Sequence, residues 1–262
     1  MSEIVTYHLE AGIATVTLNA PEVLNAMDEK MGEAFGMVLN KLKKEKEARV
    51  VILTGAGRAF SAGGNLDMIE GKIRKGKAAN KKELKKFYQT FLDMRSLPMP
   101  VVGAINGHAI GAGFCLALAC DLRYASTTTK MGANFARIGL APGMGGSWLI
   151  THLAGATHAS EILFLAENLS AQRAFDMGLL NGLCEPDQLV SHVHGVAKVI
   201  AGNGPLAIRK IKKGIQMVLE GASLKKIFDY DSTAQAEAFT TQDIREGVNA
   251  IKEKRPPHFK GI

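Results

Sequence analysis

Three glycine-rich segments are where this sequence concentrates its means for chemistry: Gly55-Ala56-Gly57 running on to Ala62-Gly63-Gly64, then Gly111-Ala112-Gly113, then Gly139 to Gly146. A dinucleotide fingerprint would need a third glycine at position 60 or 116, and those positions hold Phe60 and Leu116. None of the segments ends in the Gly-Lys-Ser/Thr of a phosphate-binding loop. Ala59-Phe60-Ser61-Ala62-Gly63 falls one residue short of a Gly-x-Ser-x-Gly elbow, because Ala59 replaces the first glycine, and this weighs against a serine nucleophile. What remains is chemistry done by the backbone. A small residue at a helix start lets a ligand reach unpaired N–H groups, whose positive end favours developing negative charge. Gly111-Ala112-Gly113 leads directly into Phe114-Cys115-Leu116-Ala117-Leu118-Ala119, and Gly63-Gly64 could supply a second donor. Two N–H groups on one carbonyl oxygen make an oxyanion hole. The same glycines also suit tight strand-to-helix turns, and spacing alone leaves both uses open.

The elements that must position these segments follow from periodicity. Ile4 to Leu9 and Ile13 to Leu18 are β-rich runs around Glu10-Ala11-Gly12, which predicts an opening hairpin. Glu29 to Glu45 carries Met31, Ala34, Phe35, Val38, Leu39 and Leu42 at helical spacing. Val50 to Thr54 and Val101 to Asn106 are continuous apolar runs ended by glycine, the mark of strands buried on both faces. Between them a helix carries Leu84, Phe87, Tyr88, Phe91 and Leu92 on one side. Strand, glycine turn and helix recur, so an α/β fold with parallel pairing is expected. After Thr151 the pattern is almost wholly helical, with an Ile208, Ile211, Ile215, Val218, Leu219 stripe and two further helices from Leu224 to Lys254. No Pro/Ser linker interrupts the chain, which reads as an α/β core over residues 1–200 with a helical extension over 201–262.

The composition of the 262 residues, 47% hydrophobic and 22% charged, excludes a disordered tail, a collagen-like repeat and a disulfide scaffold. Cys115, Cys120 and Cys184 form no Cys-x-x-Cys pair, so three reduced thiols are expected and no metal or redox site. The first residues lack the basic and apolar regions of a secretory signal, and the apolar run Ala109 to Cys120 is too short to span a bilayer. A soluble, cytoplasmic protein without a membrane partner is the expectation. The net charge of +7 points to an anionic partner, and Lys72, Arg74, Lys75, Lys77, Lys81, Lys82, Lys85 and Lys86 gather part of it in one short segment. That segment also fits a solvated helix face. Few aromatics interleave with the charge, so nucleic acid is not the expected partner.

Several blocks in order carry a resemblance: Leu18-Asn19-Ala20-Pro21 with Leu24-Asn25-Ala26-Met27, Phe60-Ser61-Ala62-Gly63-Gly64-Asn65-Leu66, Ile105-Asn106-Gly107-His108-Ala109-Ile110-Gly111-Ala112-Gly113, Cys120-Asp121-Leu122-Arg123, and Gly139-Leu140-Ala141-Pro142-Gly143-Met144-Gly145-Gly146. The chain resembles the crotonase (enoyl-CoA hydratase/isomerase) superfamily over nearly its whole length. The resemblance implies a spiral of ββα repeats with a C-terminal helical trimerisation region, as a homotrimer or a dimer of trimers. It implies an acyl-CoA thioester as substrate and no separate cofactor, with the thioester oxygen held by the N–H groups of Gly64 and Ala112. The pantetheine and adenine would lie along Val23, Leu24, Ala26, Ala62, Gly64 and Leu66. Asn65 stands where an aspartate is usual, and Ile110, Ala112, Phe135, Pro142 and Gly143 complete the implied substrate-binding set. Some basic-segment charges, and Lys260 of a neighbouring subunit, would face the CoA phosphates.

The pattern breaks where protons must move. The two glutamates of the hydratases fall at Cys115 and Phe135, and the aspartate that other members place after the last block's proline falls at Gly143. Each acid/base group is worth roughly 10²- to 10⁴-fold, so hydration by the two-glutamate route is not expected. Cys115 could serve as a thiol base or sit as a small apolar residue; His108, Asp67 and Glu70 are further candidates, and Asp121 reads as structural. The expectation is therefore an enoyl-CoA hydratase/isomerase-like enzyme acting through a thioester enolate, with its acid/base group unassigned. The alternatives are a hydrolase, decarboxylase or C–C lyase on the same scaffold, and a non-catalytic acyl-CoA-binding subunit.

Overall fold

A computed structural model describes residues 3–262. The chain opens with the hairpin β1 (Val5–Glu10) and β2 (Ile13–Leu18), closed by Ala11 and Gly12 at φ 49° and 79°, the twist a two-residue hairpin turn demands. Then follow α1 (Glu29–Lys44), β3 (Val50–Gly55), β4 (Ala59–Ser61), α2 (Leu66–Ile73), α3 (Lys77–Leu92), β5 (Val101–Ile105), β6 (His108–Ile110), α4 (Ala112–Leu118), β7 (Leu122–Ser126) and β8 (Lys130–Gly132). The remainder comprises α5 (Gly146–Leu165), β9 (Leu169–Ser170), α6 (Ala171–Asp176), β10 (Gly182–Cys184), α7 (Leu189–Gly202), α8 (Pro205–Leu219), α9 (Leu224–Ala238) and α10 (Gln242–Glu253).

Two sheets organise these elements. The larger runs β1-β2-β3-β5-β7-β10, antiparallel only at β1-β2, and the smaller runs β4-β6-β8-β9. The continuous apolar runs became β3 and β5 because both faces are covered. On one face Val51, Leu53, Val101 and Ile105 join the main core; on the other Val50, Ile52, Val102 and Ala104 pack with Leu189, Val193 and Ala197 of α7. The second half departs from the expectation of an almost wholly helical chain, since β9 and β10 add strands to both sheets. Each is two or three residues long, too short for an alternation to register in sequence.

Parallel pairing brings the glycine segments together. β4 pairs with β6 through Ala59↔His108 and Ser61↔Ala109, so the residues leaving both strands emerge side by side. The basic segment folds as α2 and α3, and α3 packs on α1 through stacked Phe35 and Phe91, with ring centroids 5.4 Å apart. In the C-terminal region, buried Lys212 of α8 bonds Asp121 Oδ2 at 2.7 Å, and the same oxygen accepts the Val101 N–H. Asp121 is thereby a structural anchor between helix and sheet. Among the described residues no helix is long and apolar enough to cross a membrane.

Candidate active site

Among the described residues, the backbone N–H groups of Gly64 and Ala112 have no hydrogen-bond partner. Gly63, at φ 91°, follows β4, and a Cβ on it would lie 2.4 Å from the Ile110 carbonyl oxygen and 3.2 Å from the Ala112 nitrogen. Gly113 is as constrained: its Cβ would meet the Ser61 carbonyl at 2.5 Å and the Ser61 side chain at 2.7 Å. The glycines therefore serve close approach of two backbones as well as turning. A parallel bridge joins Met27 and Gly64, in which the Met27 N–H donates to Gly63 O at 2.7 Å and the Asn65 N–H to Met27 O at 3.1 Å. Gly64's own N–H takes no part in that ladder. Ala112 is the first residue of α4, and the first intrahelical bond is the Cys115 N–H to Gly111 O at 3.1 Å, so the Ala112 N–H is one of the unpaired donors at the helix start. Gly111 makes the bend with φ 56° and ψ −118°.

A buried polar network fixes the first of these segments. Asn25 is fully buried; its Oδ1 accepts the Ala20 N–H at 2.9 Å, and its Nδ2 donates to Ala56 O at 2.9 Å and Ala59 O at 2.8 Å. The Ser61 hydroxyl donates to Asn25 O at 2.8 Å and accepts the Gly63 N–H at 3.2 Å. Ser61 is thus a satisfied structural residue, and its hydroxyl is not poised as a nucleophile. Leu24 and Asn25 both take φ 55°, which turns the chain so that the Ala62 N–H reaches Leu24 O at 2.9 Å. Asn25 is a positioning residue that sequence reasoning did not single out; an Asn followed at a distance by small residues carries no local signal of its partners.

The side-chain wall behind the donors is apolar. Cys115, one turn into α4, Phe135 and Pro142 all converge on Gly146, where a Cβ would find Cys115 Sγ at 3.1 Å, Pro142 Cβ at 3.3 Å and Phe135 Cε2 at 4.0 Å. Positions 115 and 135, where the hydratase glutamates fall, are thus both brought to Gly146, and neither carries a carboxylate. Burial pushes the Cys115 thiol up to about 12, so it stays protonated at neutral pH and is no base or nucleophile there. Its Sγ lies 3.7 Å from Gly143 O. Gly143 is buried, and the space its side chain would enter holds the Tyr88 hydroxyl, 2.7 Å from the Cβ position. Tyr88 comes from α3; in sequence it reads only as one member of a helix stripe.

The other candidates separate from this cluster. His108 is exposed on β6, and its Nδ1 accepts the Lys130 N–H at 3.2 Å, a bond between strands. Asp67 and Glu70 lie exposed on α2. Asn65 caps that helix by accepting the Met68 N–H at 3.2 Å, a role that asparagine and aspartate share. Val23 and Leu66 are 48% and 71% exposed, Ala62 is exposed and Leu24, Ala26 and Ile110 are half-buried, so this rim is open to a ligand. Part of the basic segment is spoken for internally: Lys72 bonds Glu83, and Lys75 reaches the same carboxylate at 2.8 Å. Lys72, then Lys75, hold Glu83 down at about 2. Lys77, Lys81 and Lys85 instead border an open cavity of about 710 Å³ with Leu84, Tyr88 and Leu92. Among the described residues no group of three or more His, Cys, Asp or Glu could hold a metal ion.

An α/β fold that sets the Gly64 and Ala112 N–H groups on adjoining segments after neighbouring strands is of a recognisable class. The family model described as Enoyl-CoA hydratase/isomerase matches residues 8–262, and the chain belongs to that family. It is 32% identical to a short-chain-enoyl-CoA hydratase from Clostridium acetobutylicum, over 94% of this chain and 93% of the relative. It is likewise 32% identical to a 1,2-epoxyphenylacetyl-CoA isomerase from Escherichia coli, over all of both chains. Among solved structures, an enoyl-CoA hydratase from Bacillus anthracis superposes with a TM-score of 0.92 at 31% identity, covering 98% of this chain and 99% of the other. The fold is thus the mixed α/β crotonase fold with a helical C-terminal region.

Proposed function

We propose that the chain processes acyl-CoA thioesters by holding the thioester oxygen, as an enolate forms, between the N–H groups of Gly64 and Ala112. The observation that carries this reading is the pair of unpaired donors on adjoining segments, kept together by glycines at 63 and 113 that admit no Cβ. A single donor of this kind is worth about 10²- to 10³-fold in rate. The names of the relatives, a hydratase and an isomerase of CoA esters, support the substrate class. Absence of a carboxylate at 115, 135 and 143 argues for a reaction other than two-glutamate hydration, with isomerisation, hydrolysis, decarboxylation and C–C cleavage as the chemistries an enolate opens. The open rim of Val23, Leu24, Ala26, Ala62 and Leu66 would take the pantetheine, and Lys77, Lys81 and Lys85 the phosphates.

The chain would work as a homotrimer or dimer of trimers. Ile211, Ile215 and Val218 of α8 are more than half exposed, and Ile211 and Ile215 border an apolar cavity of about 430 Å³ with Trp148, Leu149 and Leu153. Three buried free thiols fit a reducing, cytoplasmic setting. The test is a panel of 2-enoyl-, 3-enoyl- and malonyl-type CoA esters read by mass spectrometry. Turnover of at least one class is expected, with 2-enoyl hydration far below that of an enzyme bearing both glutamates. Tight binding across the panel without turnover would replace this reading with that of an acyl-CoA-binding subunit.

A further inference from the structure

The site has an electrophilic half and, at the three positions where a carboxylate would stand, no group that titrates near neutrality. Tyr88 fills that gap. A side chain on Gly143 would begin 2.7 Å from the Tyr88 hydroxyl, 3.1 Å from its Cζ and 3.3 Å from its Cε1, so the phenol occupies the volume that an acidic residue 143 would use. Gly143 in turn contacts Cys115 through its carbonyl, and Cys115 lies three residues along α4 from the Ala112 donor. The hydroxyl is therefore carried by a different element to the place that the loop leaves empty. Phe would complete the packing of Tyr88 against Phe87, whose ring lies edge-on at 6.3 Å, so packing alone gives no reason for an oxygen at this point.

We propose that Tyr88 is the proton donor of this site, its phenol delivering a proton to the α-carbon of the thioester enolate held at Gly64 and Ala112. The inference rests on the enolate reading given above. In the step, the Tyr88 O–H bond breaks as the Cα–H bond forms; the enolate C=C pair becomes that C–H bond, the C–O⁻ returns to C=O, and a phenolate is left. Water entering the open cavity beside Leu84 and Leu92 then reprotonates the phenolate. The titratable group nearest the phenol is the Cys115 thiol, and Tyr88 shares the lining of the cavity with Lys77, Lys81 and Lys85. Burial raises the phenol above its ordinary value, which keeps it protonated and so able to donate at neutral pH.

The reverse of this step exchanges the α-hydrogens of a saturated thioester, which requires no knowledge of the natural acyl group. Butyryl-CoA is incubated with the full chain in D₂O at pH 9, where more phenolate is present, and α-deuteration is followed by mass spectrometry. Wild type should exchange, and Tyr88→Phe should lower the rate roughly 10²- to 10⁴-fold with the Kd for butyryl-CoA unchanged. Equal exchange by wild type and Tyr88→Phe overturns the role of Tyr88 and leaves the enolate reading standing. Binding without exchange by wild type overturns both. If the Phe variant does not fold, 3-fluorotyrosine in place of tyrosine preserves the packing. A rate that follows the more acidic phenol supports the step, and an unchanged rate overturns it.

Discussion

The backbone half of the proposed site, where Gly63-Gly64 lies against Gly111 to Gly113, and its side-chain half, at 115, 135 and 143, differ in what confines them. In the first, a methyl group added at Gly63 or Gly113 would stand 2.4 to 2.7 Å from a neighbouring backbone or Ser61 atom, and a fully buried Asn25 satisfies three backbone groups at once. In the second, the groups are a thiol, a phenyl ring and a glycine, and what crowds an added Cβ there is side chain: Cys115 Sγ at 3.1 Å from one on Gly146, and the Tyr88 hydroxyl at 2.7 Å from one on Gly143. The donors depend on chain path and so can survive any change of reaction, while the proton-handling groups depend on single side chains and can be exchanged. A family can keep one half and rewrite the other.

Gly113→Ala attacks that distinction hardest. Its Cβ would fall 2.5 Å from a backbone oxygen, so the segments must part. Turnover, or α-exchange of butyryl-CoA, should fall by at least about 10²-fold, the worth of a lost oxyanion donor. Thermal unfolding should report a loss of about 1–3 kcal/mol from overpacking. Unchanged activity in Gly113→Ala would show that the donors do not need this approach.

The double variant Cys115→Glu with Phe135→Glu tests the other half by restoring what the pattern lacks. Both side chains reach Gly146, so two carboxylates placed there would face a common volume. Hydration of a 2-enoyl-CoA should rise by about 10²-fold or more over wild type if the backbone half is intact, at some cost in stability for burying charge. A folded variant that binds CoA esters and gains nothing would place the substrate elsewhere. Asn25→Ala is a smaller perturbation of the first half. It leaves the Ala20 N–H and the Ala56 and Ala59 carbonyls without their partner, which should lower stability by about 2–4 kcal/mol in a denaturant titration.

Part of the frame around the first half was legible in sequence. Apolar runs ended by glycine marked β3 and β5, while the glycine segments left tight turns and backbone donation both open, and it was the family resemblance that pointed to Gly64 and Ala112. Other features depended on contacts across the fold. Asn25 finds its partners at Ala56 and Ala59, over thirty residues away, and α3 folds back so that Tyr88 meets Gly143. Helical spacing assigned Tyr88 to a stripe without saying what that stripe covers. The pairing of Lys72 and Lys75 with Glu83 was equally invisible, because charge counting sums residues without asking which ones meet.

The smallest effect expected is at Cys115, and it sharpens the comparison because a cysteine is the one nucleophile the side-chain half retains. Its thiol is completely buried and pushed up to about 12 by desolvation, so the thiolate fraction at pH 8 is on the order of 10⁻⁴. Cys120 is pushed to about 12 in the same way, and burial raises Cys184. Iodoacetamide at pH 8 should therefore leave the native chain unmodified by intact mass, and label all three thiols only after denaturation. Cys115→Ser keeps the volume nearly constant and should leave exchange of butyryl-CoA within about twofold, because neither thiol nor hydroxyl carries the proton. Rapid alkylation of Cys115 with loss of exchange would move the acid/base role from α3 to α4, and the side-chain half would then be rewritten in place instead of supplied by a different helix.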